Sequence, residues 1–180
     1  MITKKSKPRE RIVETASKLF HQQGYNSTGI NQIIEEASVA KATFYSHFKS
    51  KDDLCVEFLL KRHHGWFEKL RSFTDKKNSL KMKIIAAFDF IINMNELENF
   101  RGCSFLNTLS ELPDGNTRIL KVIRDHKSDV RQYFQSLIQN SEKADHIYML
   151  FESSIVESQL FRDNWPVIHS KEIINNLILK

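Results

Sequence analysis

Turn-forming residues are scarce in this sequence, with 5 Gly and 3 Pro among 180 positions. Sheets need frequent tight turns, which favour those residues, so the scarcity predicts helices joined by short loops. Long apolar runs are missing as well. The longest resemble Ile84-Ile85-Ala86-Ala87-Phe88, whereas a membrane-spanning helix needs roughly 20 such residues. The basic stretch from Met1 to Arg11 lacks the apolar core of a signal peptide, and a cytoplasmic location is expected. The 2 cysteines, Cys55 and Cys103, are too far apart for a CxxC motif and too few for a disulfide framework. His63 and His64 are adjacent, while His126, His146 and His169 are scattered without metal-ligand spacing, so neither metal nor cofactor is expected. No Gly-rich phosphate loop, nucleophile elbow or spaced carboxylate pair is present. Glu35-Glu36 and Asp52-Asp53 read as helix-end and surface groups, and an enzyme is not expected.

What is present is charge with a location. The chain carries a formal net charge of +5. Residues 1–51 hold nine Lys and Arg against four Asp and Glu, and the two signs balance over residues 52–180. A one-ended basic excess suits a polyanionic partner. Because Lys4, Lys5, Lys7, Arg9 and Arg11 precede or open the first helix, a solvated basic tail accounts for the charge equally well by itself.

Periodicity predicts nine helices and no strand. Residues 1–7 form an arm, and helix 1 starts near Pro8, where a missing N–H costs nothing. Ile12, Ala16, Leu19 and Phe20 make one apolar stripe, and Gly24 ends the helix. Thr28 is the expected N-cap of helix 2, with Ile30, Ile33, Ile34 and Ala37 on one face. After a break at Ala37-Ser38-Val39, helix 3 runs from about Ala40 to Phe48. Ser50 caps helix 4, with Asp52 and Asp53 placed to suit the helix dipole. Helix 4 is expected over about 51–73, helix 5 over 80–95, helix 6 over 103–112, helix 7 over 117–139, helix 8 over 144–162 and helix 9 over 166–179. The expected domain division puts one domain at 1–52 and a second, helical domain at 53–180.

Helix 2, the break and helix 3 make a helix-turn-helix pattern from Thr28 to Phe48. Ile33, Ile34, Val39, Phe44 and Phe48 hold the two helices together. Lys41, Thr43, Tyr45 and His47 are left outward, as donors for phosphates and base edges in a major groove. The stretch Lys41-Ala42-Thr43-Phe44-Tyr45-Ser46-His47-Phe48-Lys49-Ser50-Lys51-Asp52-Asp53-Leu54 resembles the hallmark of the tetracycline-repressor (TetR) family, and Ile12 to Tyr25 resembles its opening helix. The resemblance covers about residues 9–55. It implies DNA contacts at Thr28, Lys41, Ala42, Thr43, Tyr45, His47 and Lys51, with Lys41 and Thr43 nearest base edges. Ser38 and Ala42 stand where that family usually has Gly or another small residue, and Ala40 where Ser is common, so helix 3 lacks a hydroxyl cap.

The same resemblance implies that the remainder is an all-helical ligand-binding and dimerisation domain. Arg101-Gly102-Cys103-Ser104-Phe105-Leu106-Asn107-Thr108-Leu109-Ser110-Glu111 is similar to the stretch that opens helix 6 in one branch. The aromatic load of this region suits a small-molecule pocket or a helical core. The pocket candidates are Phe67, Phe88, Phe105, Asn107, Leu109, Phe134, Phe151 and Glu152, for an apolar or amphipathic effector. The dimer candidates are Ile147, Leu150, Ser154, Ile155, Ser158 and Phe161 on helix 8, with Ile173, Ile174 and Leu177 on helix 9, forming a four-helix interface. The resulting expectation is a homodimeric repressor on a palindromic double-stranded DNA operator, released by a small molecule and without a membrane partner. The alternative is a helical small-molecule sensor, or a redox sensor through Cys103, with weak or lost DNA binding.

Overall fold

The computed structural model describes residues 7–178, with side chains to residue 176. The expected arm at residues 1–6, with Lys4 and Lys5, and the side chain of Leu177 lie outside the described residues. Nine α-helices and no strand occur among those described: α1 (Pro8–Gln23), α2 (Ile30–Glu36), α3 (Lys41–His47), α4 (Lys51–Thr74), α5 (Leu80–Leu97), α6 (Ser104–Glu111), α7 (Thr117–Leu137), α8 (Ser141–Phe161) and α9 (Trp165–Ile173). A single π turn, Ile174–Ile178, continues α9. No helix among the described residues is long and apolar enough to cross a membrane.

Four helix starts have a local chemical cause in their first turn. Lys7 N–H donates to Glu10 Oε2 at 3.1 Å across the first turn of α1, where Pro8 also sits. Ser50 Oγ accepts from Asp53 N–H at 3.1 Å at the start of α4, and Ser79 Oγ accepts from Met82 N–H at 3.2 Å at the start of α5. Asn140 Oδ1 accepts from Lys143 N–H at 3.0 Å, so α8 begins at Ser141 rather than near Ala144. Such caps contribute about 1 kcal/mol each. At α2 the expected cap is corrected. The N-cap is Gly29, and Thr28 instead turns inward, its hydroxyl donating to Gly24 O at 2.6 Å.

The chain divides into two compact units. The first takes in Met1–Arg62 with Ser104–Ile123; the second takes in His63–Cys103 with Arg124–Lys180. In the first unit α1 packs on both α2 and α3. Its core holds Ile12, Ala16, Ile33, Phe44, Leu54, Leu59 and Ile119, all 0% exposed. Phe20 joins Phe58 at a centroid distance of 5.6 Å.

In the second unit α8 packs on α9, and α5 packs on both. The core is a run of edge-to-face aromatic contacts, the arrangement favoured by ring quadrupoles. Trp66 meets Phe90 at 5.1 Å, Phe88 meets Phe151 at 5.4 Å, and Phe134 meets Phe151 at 5.2 Å. Beside them His63 Nδ1 faces His126 Nδ1 at 3.1 Å.

Candidate nucleic-acid interface

The first unit builds one exposed helical face on a rigid base. Ile33 from α2 and Phe44 from α3 are fully buried, and Phe48 is 4% exposed. These anchors turn the other side of α3 outward. Lys41, Ala42, Tyr45, Ser46 and His47 are exposed, and Thr43 is half-buried. Tyr45 packs edge-on against Phe44 at 5.3 Å, which holds its hydroxyl end out at 45% exposure. Phe44 and Phe48, four positions apart, fix which side of α3 is held inside.

The turn between α2 and α3 is closed by its own backbone. Ser38 N–H donates to Glu35 O at 3.0 Å and Val39 N–H to Ile34 O at 3.2 Å. This is the paired pattern that ends a helix through a left-handed residue, and Ser38 has φ 52°. Ala40 caps α3 with no side-chain hydrogen bond, as its missing hydroxyl requires. Arg11, on α1, reaches this turn: its Nε donates to Ala37 O at 3.0 Å and its Nη2 to Ser38 O at 3.1 Å.

The base under α3 is also tied by charge. The Lys51 ammonium donates to Tyr25 O at 3.1 Å and lies 4.1 Å from the centre of the Tyr25 ring. The Tyr25 hydroxyl donates to the Asp52 carboxylate, which also accepts from Asn116 Nδ2 at 2.8 Å. Burial, then Asp52, pushes the Tyr25 phenol well above its ordinary value, so it stays a donor at any physiological pH. Asp53 pairs with Arg118, whose hydrogen bond holds the carboxyl below the usual carboxylate range. Arg9 stacks on Phe48 at 5.3 Å and pairs with Glu57 at 3.1 Å. The loop after α1 is braced by α6: Asn26 N–H donates to Glu111 Oε2 at 2.6 Å and Asn26 Nδ2 to Glu111 O at 3.0 Å. Gly24, at φ 95°, occupies a backbone conformation that side chains rarely adopt, and a Cβ there would displace the Glu111 carboxylate. Burial raises the Cys55 thiol to about 12, which keeps it a protonated core residue.

Of the seven residues predicted to face DNA, Lys41, Ala42, Thr43, Tyr45 and His47 share the open face of α3. Thr28 is 0% exposed, with its hydroxyl on Gly24 O, and its side chain has no route to a phosphate. Lys51 is half-buried on Tyr25. Sequence reasoning missed Arg11, Asn116 and Glu111. Arg11 sits in a run of basic residues that reads as a tail, and the other two act through partners distant in sequence.

The predicted pocket residues fall in both units. Phe67, Phe88, Phe134 and Phe151 share the aromatic core of the second. Glu152 is paired with Lys127, whose ammonium also lies 3.4 Å from Cys103 Sγ. Phe105, Asn107 and Leu109 belong to the first unit, where Phe105 is buried and Leu109 is 40% exposed. A groove of about 510 Å³ on the second unit is lined by Arg124, Lys127, Ser128, Arg131, Asp145, Tyr148 and Met149, none of them among the eight.

The predicted dimer residues also separate. Ile147, Ser154, Ser158 and Ile174 are buried within the second unit, and Ser154 Oγ hydrogen-bonds Ser170 Oγ at 2.8 Å. Leu150 and Ile155 are half-buried, whereas Phe161 and Ile173 are exposed. On the same two helices Met149, Val156, Leu160, Trp165 and Ile168 are exposed as well.

Comparisons with known proteins agree with this geometry. Residues 12–58 match the model of the bacterial regulatory proteins of the tetR family. The HTH-type transcriptional activator FasR of Mycolicibacterium smegmatis is 35% identical over 88 residues, 46% of this chain and 40% of FasR. The match thus spans less than half the length of that relative. A TetR-family transcriptional regulator from Streptomyces coelicolor superposes with a TM-score of 0.86 at 24% identity, over 96% of this chain and 94% of that one. A transcriptional regulator from Saccharomonospora viridis, solved in complex with choline, superposes with a TM-score of 0.74 at 20% identity, over 94% and 96% of the two chains. Residues 12–58 carry the DNA-binding helix-turn-helix region of the tetR family, and the all-helical architecture is similar in fold to solved TetR-family regulators.

Proposed function

We propose that this chain regulates transcription as a homodimer, placing α3 of each copy in successive major grooves of a two-fold symmetric operator. The observation that carries the reading is the open face of α3. Lys41, Thr43, Tyr45 and His47 project from a helix whose opposite side, Phe44 and Phe48, is locked in the core. In this reading Lys41 and Thr43, at the N-terminal end, reach base edges, and Tyr45 and His47 hold phosphates. The positive charge confined to residues 1–51 supports the same partner.

The exposed apolar face of α8 and α9 supports the dimer. Leu160 is 69% exposed, Met149 65% and Phe161 56%. Side chains of this kind gathered on one surface mark an association face, and a two-fold axis makes the same patch serve both copies. A dimer seated on promoter DNA would obstruct polymerase, so repression is the proposed output, although FasR is named an activator. Release by a small organic effector bound in the second unit completes the reading. The choline complex of the S. viridis neighbour supports an effector of that size. Such an effector must bind the free and DNA-bound forms with different affinity.

Selection from a random duplex pool tests the proposal. The expected product is an inverted repeat whose half-sites are about one helical turn apart, roughly 34–36 Å centre to centre. A folded protein that enriches no sequence after repeated rounds contradicts it.

A further inference from the structure

A helix that ends through a left-handed residue favours glycine at that position, because a side chain there meets the backbone. The α2 terminus has Ser38 in that place, at φ 52°. Its two closing hydrogen bonds, from Ser38 N–H and Val39 N–H, are intact. The carbonyls of Ala37 and Ser38 point out of the end of α2, and both are taken by one side chain, Arg11. A guanidinium at that end also meets the negative pole of the helix dipole. Its planar fork fixes two acceptors at once, which an ammonium on a flexible stem does not.

We propose that Arg11 is a positioning residue for α3: by clamping the Ala37 and Ser38 carbonyls it holds a strained, glycine-free turn in the one conformation that presents α3 to DNA. Arg11 touches no base in this scheme. It acts through the turn, and the need for it comes from Ser38. The two positions are therefore coupled. Replacing Ser38 with glycine removes the strain and, with it, most of the dependence on the clamp. The inference rests on the reading of α2 and α3 as a DNA-reading pair, while the coupling between Arg11 and Ser38 can be observed without DNA.

The experiment compares the natural chain, Arg11→Gln, Arg11→Lys, Ser38→Gly and Arg11→Gln/Ser38→Gly on two duplexes of equal length, one selected and one of random sequence, across a salt series. Arg11→Gln is expected to weaken the selected duplex about tenfold, as for loss of charged hydrogen bonds, and to leave the random duplex within about twofold. Arg11→Lys, which keeps the charge and loses the fork, is expected to fall with Arg11→Gln. Ser38→Gly alone changes little, and the double variant regains most of the lost selectivity, a non-additivity expected of groups in direct contact. Two results overturn the proposal. One is a double variant as weak as the two single effects added. The other is a random duplex that weakens in step and loses about 0.9 from its salt slope, which would make Arg11 a phosphate contact. If the natural chain itself does not distinguish the duplexes, the DNA reading fails instead, and amide exchange decides the clamp. The amides at positions 38 and 39 should exchange faster in Arg11→Gln, and the Val39 amide should recover in the double variant. Unchanged exchange overturns the clamp on its own.

Discussion

The two units of this chain are built from the same kind of helix and read very differently. In the first, buried and exposed residues alternate so tightly along α3 that the outward face follows from two aromatics, Phe44 and Phe48. In the second, aromatics fill the interior, and no one of them announces whether it packs or binds. The proposed partners account for the difference. DNA offers the same phosphate spacing and groove to every reader, so a chain that reads it keeps a fixed charge and spacing pattern. An effector of the kind proposed for the second unit would impose no such general pattern. The charge follows the same division, with all of the net excess in residues 1–51.

The largest expected effect breaks the second unit. Phe151 is fully buried and touches Phe88 and Phe134, so Phe151→Ala should cost about 3–5 kcal/mol of stability. Denaturant unfolding checks this; a loss below about 1 kcal/mol would mean that the aromatic interior is loosely packed and already pocket-like. Next in size is the proposed association face. Leu160→Glu with Phe161→Glu places charge on an exposed apolar surface, and sedimentation should show monomers that keep the helical signal. Persistent dimers would move the interface elsewhere. Tyr45→Ala, Lys41→Ala and His47→Ala separate contacts within the first unit. Lys41→Ala should relax base preference at one position of each half-site at a cost of about 1–3 kcal/mol, and His47→Ala should weaken all sequences alike. Binding to single-base variants of the selected site distinguishes the two.

The smallest effect is a pH dependence confined to the second unit. His63 Nδ1 and His126 Nδ1 face each other at 3.1 Å, so one must donate and the other accept. Burial lowers the His63 value; Asp129 raises it, and His64 and Arg71 lower it. His126 is 2% exposed and lies against Trp66 and Phe67. The unfolded chain takes up a proton near pH 6.5 and the folded His63 does so lower. Stability is therefore complete above about pH 6.5 and declines as the pH falls from there towards the depressed folded value. Melting temperatures across pH 5 to 8 should show the decline, and His63→Gln should flatten it. An identical profile in that variant would assign the decline to other groups.

The fold was legible in the sequence to the level of helix order. Stripes such as Ile12, Ala16, Leu19 and Phe20 needed no partner to be read, and Ser50 announced its helix. Thr28 misled because a hydroxyl before a helix usually caps it, whereas here Gly24 O lies close enough to take the hydroxyl first. The α8 start moved to Ser141 because an asparagine cap outweighs the apolar onset at Ala144. On α8 the small residues Ser154 and Ser158 read as a contact stripe between chains, yet both are buried within the chain and Ser154 meets Ser170 of α9. Arg11 and Glu111 were invisible because their roles depend on carbonyls and amides 26 or more positions away, which no local pattern records.

The most direct test is anisotropy of a labelled duplex from the selected pool, titrated with the natural chain and with Lys41→Ala/Tyr45→Ala across a salt series. The account predicts tight binding by the natural chain, with log K falling linearly and steeply against log salt, and loss of sequence preference in a variant that remains folded. Equal affinity of the two proteins at every salt concentration would contradict it, because the open face of α3 would then have no part in the contact.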